Sequence, residues 1–209
     1  MRLKLVAVSV GLPRVIAKTA EGETVLSGIA KHPLGADRVF VGLENIDGDG
    51  QADLRVHGGR DKAVYAYPAD HWRWWQGEHA LACTPNTFGE NLTLEGADED
   101  MVAIGDRFRW GEALLEIAQP RAPCFKLALH ARDDVPMRMT LSARCGWYFR
   151  VVETGFAPAR GEVVRETVAN GPTVREAFVA ALHPRTAQTT RDRVRATAQL
   201  SPAWKRMIR

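Results

Sequence analysis

The feature that most constrains this chain is the spacing of its apolar runs. From Leu3 to Glu153 short stretches rich in Val, Leu, Ile, Tyr, Phe and Trp are broken again and again by Gly, Pro or acidic residues. Leu3–Val10, Val25–Ile29, Val39–Leu43, Ala63–Tyr67, Asn91–Leu94, Asp106–Trp110, Ala113–Ala118 and Trp147–Glu153 read as strands. Many short strands with close turns favour a β-barrel over a doubly wound sheet. Trp110-Gly-Glu112 and Glu153-Thr-Gly155 read as hairpin turns, in which glycine takes the positive φ that other residues avoid. One helix interrupts the strands: it opens at Pro68, a residue suited to a first helical turn, and sets Trp72 and Trp75 on one face.

The tail changes character. Thr173-Val-Arg-Glu176 is a capping box, in which threonine and glutamate each satisfy an N–H of the first turn, and Val174, Phe178, Ala181 and Leu182 follow at helical spacing. His183-Pro184 ends that helix, Gln188–Gln199 forms a second, and Ser201-Pro202 opens a third. A boundary near Asn170-Gly171-Pro172 therefore divides a barrel domain, residues 1–170, from a small three-helix unit, residues 171–209. Residues 166–209 hold eight Arg or Lys against three acids, but these charges alternate with Val, Ala and Leu. That pattern suits a solvated helix face, so nucleic-acid binding is not expected; the unit is expected to dock on the barrel or to mediate a homodimer.

The 209 residues are 45% hydrophobic and 25% charged, enough for a core without disulfide staples. Cys83, Cys124 and Cys145 are an odd number at wide spacing, which points to free thiols in a reducing compartment. The run after Met1-Arg-Leu-Lys stops at Gly11-Leu-Pro13 with no small-residue cleavage site, so it reads as a first strand rather than a secretory leader. No apolar stretch reaches the roughly 18 residues of a membrane span. A cytoplasmic protein with no membrane partner is the expectation.

Four segments could carry chemistry. Asp47-Gly-Asp-Gly-Gln-Ala-Asp53 has the alternating carboxylates of a calcium loop, but Ala52 stands where the sharp turn needs glycine and Gly58 where a bidentate glutamate belongs. An acidic turn accounts for it. Arg55-Val-His57-Gly-Gly-Arg-Asp-Lys62 surrounds two glycines with donors, a loop suited to an anionic, oxygen-rich ligand or simply to a polar turn. Gln119-Pro-Arg-Ala-Pro-Cys124-Phe-Lys126 stiffens the backbone before a cysteine set between Arg121 and Lys126, cations that favour the thiolate needed for nucleophilic attack or for a soft metal. A small buried hydrophobe is the other reading of Cys124. In Phe88-Gly-Glu-Asn-Leu92, Glu90 and Asn91 could orient a polar ligand or build a turn. The histidines show no metal-ligand spacing; His71 and His79 are placed on the surface of the Trp-rich helix, and His57 alone lies in a suggestive loop.

Taken in order, Ser9-Val-Gly-Leu-Pro-Arg14, Gly28-Ile-Ala-Lys31, Gly50-Gln-Ala-Asp53, His57-Gly-Gly, Asp61-Lys-Ala-Val64, Phe88-Gly-Glu-Asn-Leu92, Ile104-Gly-Asp106 and the Cys124 segment resemble the MOSC domain family, in particular its small bacterial YiiM-type branch. The resemblance covers about the first 165 residues, and the tail looks like that branch's three-helix extension. It implies a mainly β fold with α: a mixed, closed β-barrel with short helices. It implies molybdenum cofactor, a pterin with a terminal phosphate, held in the cleft with Cys124 on the metal. Arg14, Lys31, Arg55, His57, Gly58, Gly59, Lys62, Glu90, Asn91, Arg121 and Lys126 are the cofactor-binding candidates. It implies reduction of small N-hydroxylated compounds, hydroxylaminopurines or amidoximes, in detoxification of N-hydroxylated base analogues, with His57 or solvent as proton donor. No iron–sulfur, flavin or nicotinamide pattern is present, so a separate redox protein has to supply electrons. Two other readings stand: a noncatalytic carrier of the cofactor or its sulfur, and a cysteine-dependent transferase without metal.

Overall fold

The structure is a computed structural model that describes every residue from Met1 to Arg209 except Arg55 and Val56. Its strands are β1 (Arg2–Val10), β2 (Arg14–Lys18), β3 (Thr24–Ser27), β4 (His32–Pro33), β5 (Arg38–Val41), β6 (Val64–Pro68), β7 (Leu92–Glu95), β8 (Arg107–Trp110), β9 (Ala113–Pro120), β10 (Trp147–Glu153), β11 (Gly155–Pro158) and β12 (Gly161–Thr167). The α-helices are α1 (Leu54–His57), α2 (Trp72–His79), α3 (Phe125–His130), α4 (Val135–Ser142), α5 (Val174–Leu182), α6 (Gln188–Arg195) and α7 (Pro202–Lys205).

Seven strands close on themselves in the order β1–β12–β8–β9–β10–β6–β7 and back to β1. Every neighbouring pair is antiparallel except β6 and β7, and α2 lies in the crossover that a parallel pair requires. Closure comes from β1, which pairs Lys4 with Glu95 on one side and Lys4 with Glu162 on the other. Alternation explains how β1 serves as wall: Leu3 and Leu5 face the core while Arg2 and Lys4 face solvent. β6 and β9 are buried along their whole length, since each is covered on the outside as well. Trp110, Trp147, Phe108, Phe149, Leu3, Leu115 and Ile117 fill the core.

The hairpin expected at Trp110–Glu112 joins β8 to β9, with Gly111 at φ 60°. The one expected at Glu153–Gly155 is not a hairpin. There the chain leaves the barrel, because β11 pairs with β5 in a separate ribbon, and Glu112 Oε2 accepts the Phe156 N–H at 2.9 Å to fix the exit. Two further surprises are α3 and α4, where no helix is expected from sequence. His71 is also misplaced by the sequence reading. A 3-10 turn at Ala69–His71 precedes α2 and rotates this side chain inward, where it is buried and its Nε2 lies 2.7 Å from Glu99 Oε2.

The capping box at Thr173 is formed in full, and Ser201 caps α7 by accepting the Trp204 N–H. The helical tail is tied to β9: Ser201 N–H donates to Ala118 O and its hydroxyl donates to Gln119 Oε1. Several of its arginines are engaged within the chain, Arg193 on Glu176, Arg175 on Asp100, and Arg191 and Arg195 on backbone carbonyls. No helix among the described residues is long and apolar enough to cross a membrane.

Candidate functional site

A cleft opens on the barrel, with a cavity volume of about 80 Å³. Segments far apart in sequence line it: Ser27–Lys31 after β3, Asp49–Ala52, His57 and Lys62 around a 3-10 turn, Tyr65 on β6, Arg121–Lys126 after β9, and Tyr148 on β10.

One wall is cationic. Lys62, Arg121 and Lys126 line it with His57. Arg121 is buried with its guanidinium 5.7 Å from the Tyr65 ring centre, and Lys126 Nζ donates to Leu26 O at 2.9 Å. Burial, then Lys126, Lys62 and Arg121, push the His57 pKa below 6.5, so the imidazole is neutral at neutral pH. Burial also lowers the Lys62 pKa, against the attraction of Asp61. Cys124 sits at the edge of this wall, half-buried, in extended backbone just before α3. The two other thiols differ: burial pushes Cys83 up to about 12, and Cys145 is buried with its pKa driven well above the usual thiol range.

Asp49 also lines the cleft, the one acid among the described lining residues. Its Oδ1 accepts the Gly11 N–H at 2.9 Å and pairs with Lys31 Nζ, whose pKa burial lowers against the pull of this carboxylate. Asp49 Oδ2 and Gln51 Oε1 are buried without a partner among the described residues.

Of the sequence candidates, the structure thus brings Cys124, His57, Lys31, Lys62, Asn91, Arg121 and Lys126 together. Asn91 has its amide engaged with backbone, Oδ1 accepting from Tyr65 N–H and Nδ2 donating to Ser9 O. Arg14 is exposed at the start of β2 and does not line the cleft. Gly58 and Gly59 also lie outside the lining: Gly58 packs on Leu54, and Gly59, at φ 89°, opens the turn that presents Lys62. Glu90 is a correction. It is fully buried, and both carboxylate oxygens are occupied by the Asn86 and Phe88 N–H groups and the Thr93 hydroxyl, so it braces the cleft wall from behind. Arg55 lies outside the described residues. Asp49, Gln51, Tyr65 and Tyr148 were missed, the first two because an acidic Gly-rich stretch reads equally well as a turn.

Residues 53–175 match the model of the MOSC domain. The chain belongs to the MOSC domain family. This MOSC protein is 35% identical over 210 residues to Protein YiiM of Escherichia coli (strain K12), covering 98% of this chain and 87% of that one. The crystal structure of YiiM from Geobacillus stearothermophilus superposes with a TM-score of 0.80 at 30% identity, covering 99% of this chain and 97% of the other. A protein named Reductase from Gibberella moniliformis is 34% identical over 145 residues, which are 67% of this MOSC chain but 26% of the fungal one.

The donor set fits the anionic, metal-bearing pterin that this family is named for. Lysine, arginine and imidazole groups on one wall match a phosphate, and a thiol beside them matches a soft metal.

Proposed function

We propose that this protein is a molybdenum cofactor-dependent reductase of N-hydroxylated compounds of the hydroxylaminopurine or amidoxime type. The observation that carries this reading is the convergence of the Cys124 thiol with Lys62, Arg121, Lys126 and His57 in one cleft.

Lys62, Arg121 and Lys126 would hold the anionic end of the cofactor, and Cys124 would supply the thiolate that ligates its metal. When bound, the cofactor supplies the two-electron chemistry that removes oxygen from an N–O bond. Tyr65 and Tyr148, with ring centres 5.1 Å apart, give the cleft aromatic surface for planar groups. His57 is neutral in the free protein because burial, and then the neighbouring cations, lower its pKa, and negative charge entering the cleft raises its proton affinity. A ring nitrogen so loaded can hold the proton that departing oxygen needs, with solvent as the other source.

Electrons have to come from outside the chain, since its sequence carries no redox-cofactor fingerprint.

The test is molybdenum content and turnover of protein made in cofactor-competent cells. Cys124→Ser should lose molybdenum while Cys83→Ser and Cys145→Ser retain it; equal retention in all three removes Cys124 from the metal. Parent protein with an artificial reductant should convert a hydroxylaminopurine to its amine. Metal-loaded protein that leaves such substrates intact but delivers cofactor or sulfur to an acceptor enzyme would replace the reductase with a carrier.

A further inference from the structure

The cleft is polar in two opposite senses. Lys62, Arg121 and Lys126, the charged side chains that line it beside His57 and Cys124, are hydrogen-bond donors. Residues 49–51, which also line the cleft, carry two buried acceptor oxygens with no donor among the described residues to meet them, Asp49 Oδ2 and Gln51 Oε1.

Neither oxygen is a loose surface group. The Asp49 side chain is only 1% exposed, and its other oxygen is locked by Gly11 N–H and Lys31 Nζ. Gln51 gives its Nε2 to Asn45 Oδ1, which leaves its carbonyl oxygen as the free end. A buried acceptor without a donor is destabilising, and the loss is recovered when a ligand brings the missing N–H or O–H. Tyr148 lines the same cleft, so these residues share it with an aromatic ring.

A ligand matching this wall is flat and presents N–H donors on one edge, as the amino group of an aminopurine or the two nitrogens of a neutral amidine do. We infer that Asp49 and Gln51 are the residues that read the N–H edge of the substrate, selecting compounds whose N–O nitrogen belongs to an amidine or aminopurine system. The assignment rests on the reductase reading for the word substrate, while recognition of the edge is a binding property that needs no turnover. The cofactor's pterin has N–H groups too, so one ligand chemistry has two sources.

Adenine and hypoxanthine separate the possibilities, because they share a ring and differ in whether the six-position carries an amino donor or a carbonyl acceptor. Calorimetric titration of the purified protein should show adenine binding at least about tenfold more tightly, the discrimination expected when a site's acceptors lose their donor. Asp49→Asn and Gln51→Leu should each bring that ratio towards one; Gln51→Leu leaves the Lys31–Asp49 pair intact, so its result does not depend on how the cleft tolerates an unpaired lysine. Equal affinity for the two purines in the parent, or an unchanged ratio in both variants, overturns the inference. Loss of molybdenum in Gln51→Leu with purine discrimination intact also overturns it, assigning the acceptors to the pterin. Discrimination that disappears in the variants while the parent fails to reduce any N-hydroxylated compound would keep the recognition site and reject the reductase.

Discussion

Gly28→Ala is a one-methyl perturbation aimed at the cleft wall. A Cβ at Gly28 would lie 2.0 Å from Gly50 O and 3.2 Å from Gly11 O. Ordinary carbon–oxygen contact is about 3.3 Å, so one backbone segment must retreat by roughly 1.3 Å. Both are wall segments: Lys31 lies three residues after Gly28, and Gly50 follows Asp49, so the movement strains a buried ion pair as well. Overpacking of this kind costs about 1–3 kcal/mol, and in a chain of this size each kcal/mol shifts Tm by roughly 2–4 °C. The assay is urea denaturation with a thermal melt, run beside Gly77→Ala. Gly77 lies inside α2 with nothing within 4 Å of an added Cβ, so alanine there should stabilise by about 0.5–1 kcal/mol through the backbone freedom it removes. A Gly28→Ala protein within about 0.5 kcal/mol of the parent, or two variants that move in the same direction, would refute the close-approach reasoning.

Two further outcomes follow from the charges in the cleft. Sulfate, whose own charge is constant, should bind more tightly as pH falls below about 6.5, because the bound anion restores the proton that burial and neighbouring cations withhold from His57; His57→Ala should flatten the dependence. Without ligand the sign for stability is opposite: the unfolded chain takes up that proton first, so stability should decline as pH drops through 6.5 towards the depressed folded value, a trend readable by denaturation at each pH. Near pH 8 a disulfide reagent should label Cys124 first, since Cys83 is pushed up to about 12 and Cys145 is buried; fast labelling that survives Cys124→Ser would contradict the assignment.

Local signals in this sequence were readable where local physics decides the structure. β1, β6 and β10 announce themselves by apolar content, the Thr173 box by reciprocal capping, and the β8–β9 turn by Gly111. β12 was missed because only Val163 along it is fully buried, and it becomes a strand through pairing with residues 160 positions away. α3 exposes Phe125 and Leu129, the reverse of the apolar-inward pattern that marks a helix in sequence. At the site, Cys124 and its cations stand out because they are chemically conspicuous. Asp49 and Gln51 do not, since a turn and a recognition wall use the same residue types, and only the fold shows which oxygens lack partners.

Closure of the barrel through β1 and β12 also sets a timetable. During synthesis β1 is made well before one of its barrel partners, β12, which begins at Gly161. At 5–20 residues per second that interval is roughly 8–30 s, during which one edge of a nascent sheet has no neighbour. The cleft draws on residues from Ser27 to Tyr148, so its walls are all made before β12 closes the barrel. A chaperone that shields the waiting edge of β1 until β12 arrives is therefore expected to raise the yield of soluble protein more than one acting on the finished chain.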